Sequence, residues 1–192
     1  ATKPFTWPAF MTHTMNLGVD ITPRAFEIPV NHKDGSIWVR AIGINAGDTL
    51  TRDSTVKTIV RDGKIQADPT HDVLKACVFD RHHGTDGTHS FGFVTGFGIH
   101  GALAQTVSHD AHNLLVMGDN DADMALAART LAECGGGEVA VADGKVLALV
   151  ELPVCGLMSD RRIEEVAEKV AGIEAAWAQM GCSLPSPFMT MG

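Results

Sequence analysis

The chain has no apolar stretch approaching the roughly 20 residues that a membrane span requires. Its opening residues, Ala-Thr-Lys-Pro, contain no apolar core of a secretory signal, so the expected compartment is the cytoplasm. No basic run of five or more residues occurs and the formal net charge is -8, which leaves nothing to neutralise a phosphate backbone. Neither nucleic acid nor a membrane surface is therefore an expected partner. The four cysteines (Cys77, Cys134, Cys155, Cys182) form no C-x-x-C pair, which argues against a zinc knuckle or a thioredoxin-type motif. Contexts such as Lys75-Ala76-Cys77-Val78-Phe79 read instead as buried free thiols. There is no Gly-x-Ser-x-Gly elbow, and the glycines of 92–98 do not match a dinucleotide fingerprint. No internal repeat stands out.

What remains is an ordinary globular composition, 45% hydrophobic and 20% charged, long enough for a real core. Residues 1–35 carry Pro4, Pro8, Pro23 and Pro29 with no sustained period, and read as an extended lead-in segment. Residues 36–192 read as one α/β domain. Ile37 to Ile44 is β-branched and partly alternating, as a strand is, and Asp62-Gly63 is a tight turn after a second strand at 56–60. Val73 to Asp80 is a further strand. Five glycines between Gly84 and Gly98 predict a bulged strand or a loop wrapped close around something.

The clearest unit begins at Leu114-Leu115-Val116-Met117, a short apolar run predicting a buried strand. Asn120 is a good N-cap, Asp121 and Asp123 suit the positive end of a helix, and Met124, Ala127, Ala128 and Leu131 recur at helical spacing. Gly135-Gly136-Gly137 ends the helix, and 138–142 and 145–150 form a hairpin around Asp143-Gly144. A second helix is predicted over about 160–180, with Ile163, Val166, Ala167, Val170, Ile173, Trp177 and Met180 as its apolar stripe. Ser159 reads as a helix-start residue. The architecture expected is a mixed-sheet α/β sandwich containing a β-α-β unit, a hairpin and a long C-terminal helix.

Chemistry concentrates between His82 and His112, which hold six of the nine histidines. The densest pieces are Arg81-His82-His83-Gly84-Thr85-Asp86 and Ser108-His109-Asp110-Ala111-His112-Asn113. Imidazole and carboxylate are the groups that move protons and bind divalent metals near neutral pH. In a helix His109 and His112 would share a face. In a strand Asp110 and His112 would do so instead, and the sequence leaves both open. Neither piece has the spacing of a known zinc module. Polar residues lining a cleft, or completing a site whose metal is held elsewhere, are the readings to weigh.

These pieces, with Gly92–Gly98, Gly118-x-Asn120-Asp121-x-Asp123-Met124, Gly135-Gly136-Gly137, Leu152-Pro153-Val154-x-Gly156-Leu157-Met158-Ser159-Asp160 and Pro187-Phe188-Met189-Thr190, resemble in order the C-terminal domain of adenine deaminases, in the amidohydrolase superfamily. The likeness runs from about Val39 onward, although Ala111 stands where the resemblance leads one to expect Ser. It implies metal-dependent hydrolysis of adenine to hypoxanthine and ammonia, in purine metabolism. The His-x-His metal pair that such enzymes carry on the first barrel strand does not occur in this chain, and the strand and helix pattern has no room for eight β-α units. The divalent metal (manganese, iron or zinc) is accordingly expected in a barrel elsewhere in the enzyme, and this chain alone is expected to be inactive. The resemblance nominates His109, Asp110 and His112 as catalytic residues and His82, His83 and Asn113 as substrate-binding residues, with adenine and the amidohydrolase barrel as partners. The alternatives are a non-catalytic binding or homo-oligomerisation module and an independent metalloenzyme using its own histidines.

Overall fold

The computed structural model describes residues 5–48, 50–84, 87–185 and 187–191, without the side chain of Phe188. Thr85 and Asp86 of the first histidine-rich piece lie outside the described residues. The strands are β1 (Ile28–Pro29), β2 (Gly35–Gly43), β3 (Arg52–Arg61), β4 (Lys64–Gln66), β5 (Leu74–Phe79), β6 (His89–Thr95), β7 (Ala102–Gln105), β8 (Leu114–Gly118), β9 (Gly137–Ala142) and β10 (Lys145–Glu151). They form one mixed sheet in the order β1-β4-β3-β2-β6-β5-β8-β7-β9-β10. Every junction is antiparallel except β2–β6, which is parallel and joined only at Ile42↔Val94 and Gly43↔Thr95. Helices α2 (Asp121–Cys134) and α3 (Ile163–Gln179) cover opposite faces, with short helices α1 (Ala9–Thr12) and α4 (Pro187–Met191) near the ends. This is the expected α/β sandwich.

The local sequence explains the centre of it. All of β8 is buried, because alternate side chains face two helical layers. Leu114 and Val116 join the core beneath α2, while Leu115 and Met117 join the core beneath α3. Each such buried aliphatic side chain contributes about 1.5–3 kcal/mol. Ala102 and Ala104 on β7 meet Ala125, Ala127 and Ala128 in the same core, so small side chains let α2 lie close to the sheet. Asn120 caps α2, its Oδ1 accepting from the Asp123 N–H at 2.8 Å. Gly135, at φ 90, closes the helix in the left-handed region that favours glycine. The predicted β-α-β unit is β8-α2-β9, with β7 inserted between its two strands and antiparallel to both.

The lead-in is held down by three apolar anchors. Leu17, Ile21 and Phe26 are buried in the α2 core, where Phe26 meets Phe79 edge-on at 5.5 Å between centroids. The Lys75 ammonium, itself buried on β5, donates to the Phe26 carbonyl at 3.1 Å and to Asp121 Oδ1 at 2.7 Å, tying the lead-in, the sheet and α2 together. Two local expectations shift. The glycine-rich stretch contains a regular strand, β6, paired with β5 along its whole length. The second helix starts at Ile163 rather than near 160, and only the later part of its stripe is buried: Ile173, Trp177 and Met180 are core, while Ile163 is 79% exposed. Ser159 lies before that helix, its Oγ accepting from the Arg161 N–H at 3.1 Å.

Candidate functional site

The two histidine-rich pieces follow strand β5 and precede strand β8, which are neighbours in the sheet, so the topology alone brings them to one end of it. After β5, Asp80 organises the turn. Its Oδ1 accepts from the backbone N–H of His82 at 2.9 Å and of His83 at 3.4 Å, and its Oδ2 pairs with His83 Nδ1 at 2.6 Å. Those bonds, led by the one from His82, hold the Asp80 carboxyl below the usual carboxylate range. His82 and His83 are exposed, and His82 Nε2 donates across to the Ala111 carbonyl at 2.9 Å.

The second piece is neither helix nor strand. It is a turn closed by the His112 N–H on the Ser108 carbonyl at 2.7 Å, with His112 at φ 51. That arrangement answers the question the spacing left open: the His109 and His112 rings lie 5.4 Å apart, edge to face. His109 and Asp110 are exposed, and His112 and Asn113 are half-buried. Their distinguishing property is unspent hydrogen-bonding capacity. His112 Nδ1 and Asn113 Oδ1 are buried without a partner, as is Thr14 Oγ1 of the lead-in. Buried polar atoms in folded proteins are nearly always bonded, so three beside one guanidinium single this junction out.

Arg81 makes the junction. Its side chain is 1% exposed, and it donates from Nε to the His112 carbonyl at 2.6 Å, from Nη1 to the Thr14 carbonyl at 3.1 Å and from Nη2 to the Cys155 carbonyl at 3.0 Å. Gly156 makes room for it: a Cβ there would lie 2.8 Å from Nη1. In the sequence Arg81 stands inside a histidine-rich motif that assigns it no role, and nothing near Thr14 or Asp80 marks either one. A lone arginine directly after an apolar strand, ahead of two histidines, is the one local signal that could have drawn attention to it.

The opposite end of β8 borders a cleft of about 420 Å3 lined by His100, Asp119, Asn120, Asp123, Asp143 and Gln179, among others. Two of its carboxylates, Asp119 and Asp123, are occupied. Asp119 accepts from the Gly101 N–H and from Asn120, and Asp123 accepts from Asn120 and from the Gly144 N–H at 2.8 Å. Among the described residues no three His, Cys, Asp or Glu side chains converge as a ligand set for the divalent ion that the resemblance implies. All four cysteines are free, and burial pushes the Cys77 thiol up to about 12, far from a reactive thiolate.

A family model described as "Adenine deaminase C-terminal domain" matches residues 48–192. A curated adenine deaminase of Clostridium botulinum (strain Loch Maree / Type A3) is 52% identical over 188 residues, covering 97% of this chain and 31% of the relative. That of Moorella thermoacetica is 49% identical over 186 residues, covering 96% of this chain and 31% of its own length. Adenine deaminase 3 of Rhizobium meliloti is 41% identical over 187 residues with the same coverage. The chain thus spans 31% of the length of these curated relatives.

Proposed function

The chain belongs to the adenine deaminase C-terminal domain family, and from that premise we propose that it supports hydrolytic deamination of adenine to hypoxanthine and ammonia as the non-barrel domain of a longer enzyme. In that reaction water adds to the ring carbon bearing the amino group, and the nitrogen leaves as ammonia after gaining a proton. The domain's part is to present the His109–Asn113 turn and the His82–His83 turn to the substrate-facing side of an amidohydrolase barrel. His109, Asp110 and His112 carry or relay protons, and His82, His83 and Asn113 contact the purine. The divalent ion, manganese, iron or zinc, is assigned to the barrel, because among the described residues no set of three ligands converges. Cytoplasmic location and a place in purine metabolism follow from the same reading.

The observation that carries the proposal is the convergence of both turns on Arg81, with His112 Nδ1, Asn113 Oδ1 and Thr14 Oγ1 buried and unpartnered beside it. The test is ammonia release from adenine by the gene product that contains these 192 residues. His109→Ala and His112→Ala should each lower kcat by about a hundredfold, the scale of a lost general acid or base. Because His109 is exposed and His112 only half-buried, Tm should fall little beside that loss of turnover. Full turnover by both variants would sink the assignment.

A second reading, a module for assembly, is favoured by one feature away from this site. On the outer face of the β2–β3 ribbon Trp38, Ile42 and Ile59 are 63%, 50% and 37% exposed. Sedimentation of the chain alone decides it: a dimer that Trp38→Lys dissolves would support a homo-oligomer, and a monomer at all concentrations would remove it.

A further inference from the structure

We propose that Arg81 is the positioning residue of the candidate site: its buried guanidinium clamps the His109–Asn113 turn in the conformation that sets the two histidine rings side by side. The inference rests on the reading that this turn serves the reaction, and it assigns the turn's geometry to a residue that touches neither substrate nor metal.

Three observations lead to it. First, the turn is not a conformation the chain adopts by preference. His112 sits at φ 51, a region that a side-chain-bearing residue occupies only when its surroundings over-determine it. Second, consecutive residues clamp consecutive carbonyls of the turn. His82 Nε2 holds the Ala111 oxygen and Arg81 Nε holds the His112 oxygen, while the His112 N–H is fixed on Ser108. Third, the same guanidinium reaches Thr14 in the lead-in and Cys155 in the loop before α3, so one cation locks three segments that are far apart in sequence. Among the described residues its bonds are to carbonyls, with no carboxylate paired to it. A buried charge with neutral partners is an expensive way merely to fasten a fold, since an apolar side chain of similar volume would pack as well. Only arginine offers donors in a rigid fork toward three separate acceptors, whereas a lysine ammonium on a flexible stem would hold one or two of them loosely.

The experiment measures adenine saturation and ammonia release in the gene product containing this chain, for Arg81→Lys, Arg81→Met, His112→Ala and Lys75→Met, each well below its own Tm. Lys75→Met removes the other buried cation without touching the turn. The expected result for Arg81→Met is a kcat lowered about a hundredfold with KM little changed, the scale of a misplaced catalytic group. Arg81→Lys should fall between it and wild type, and Lys75→Met should keep the wild-type kcat in its folded fraction. In this 192-residue chain, Arg81→Lys should also speed hydrogen exchange at the His112 amide by about tenfold or more. If Arg81→Met does not fold, Arg81→Lys carries the test, with kcat about tenfold down expected. Both arginine variants at wild-type kcat, with His112→Ala impaired, would overturn the positioning role and leave the site standing. Full turnover by His112→Ala as well would remove the site reading along with it.

Discussion

The two ends of strand β8 are built from the same kinds of residue and finished in opposite ways. Beyond its C-terminal end, Asp119, Asn120 and Asp123 bond to one another, to Gly101 and to Gly144, and the adjacent Asp121 pairs with Lys75. Before its N-terminal end, His112 Nδ1, Asn113 Oδ1 and Thr14 Oγ1 are buried without partners. Beside that end Gln105 Nε2 on β7 is buried and unpartnered too, opposite Glu138 in the β7–β9 register. A list of acidic residues and imidazoles would not tell the two ends apart, and a cleft of about 420 Å3 borders the first. Hydrogen-bond accounting separates them: the saturated end is a helix start, and the other end keeps buried polar atoms whose bonding capacity is unspent.

The largest stability effect expected from breaking this comparison lies at the saturated end. Asp121→Ala leaves the Lys75 ammonium inside the protein with the Phe26 carbonyl as its remaining partner. Stranding a buried charge costs about 3–5 kcal/mol, and losing a carboxylate from the first turn of α2 adds about 0.3–1 kcal/mol. Urea or thermal unfolding of the chain should show a loss of that size. The double variant Lys75→Met/Asp121→Asn, which removes the charges together, should recover most of it. A single variant within about 0.5 kcal/mol of wild type would mean that the pair is solvated and that this end is less closed than its bonds imply.

The contrast also explains what could be read in advance. The β8-α2-β9 unit was legible because its signals are local: an apolar run, an Asn cap, a helical period and a glycine stop all fall within 30 residues of one another. The C-terminal helix was legible as a period, but a period cannot say how far the neighbouring layer extends. Ile163 and Ile173 share the stripe, yet one is 79% exposed and the other buried. Leu17, Ile21 and Phe26 anchor a proline-rich segment with no period at all, and nothing near them in sequence marks them as core. The histidine-rich pieces stood out by composition, but their meeting did not, because Arg81 finds its partners 31, 67 and 74 residues away. Nonlocal backbone acceptors leave no pattern in a sequence.

A smaller effect should come from the unsaturated end, and its sign is opposite to the usual carboxylate case. Burial pushes Glu138 up from its ordinary 4.5 to about 7, with no hydrogen bond or cation to offset it. Between those two values the folded chain keeps a proton that the unfolded chain has released, so stability falls as pH rises through the window and levels off above about 7. The penalty at about pH 8 is on the order of 2 kcal/mol, allowing for the partial exposure of the side chain. Glu138→Gln is neutral throughout and should be more stable than wild type by about that amount at about pH 8, with the difference vanishing near about pH 4. Chemical denaturation across that range reads it directly. Parallel profiles for the two proteins would show that Glu138 already has a partner or open water. In that case its end of the sheet would be as complete as the other, and the contrast between the two ends would fail.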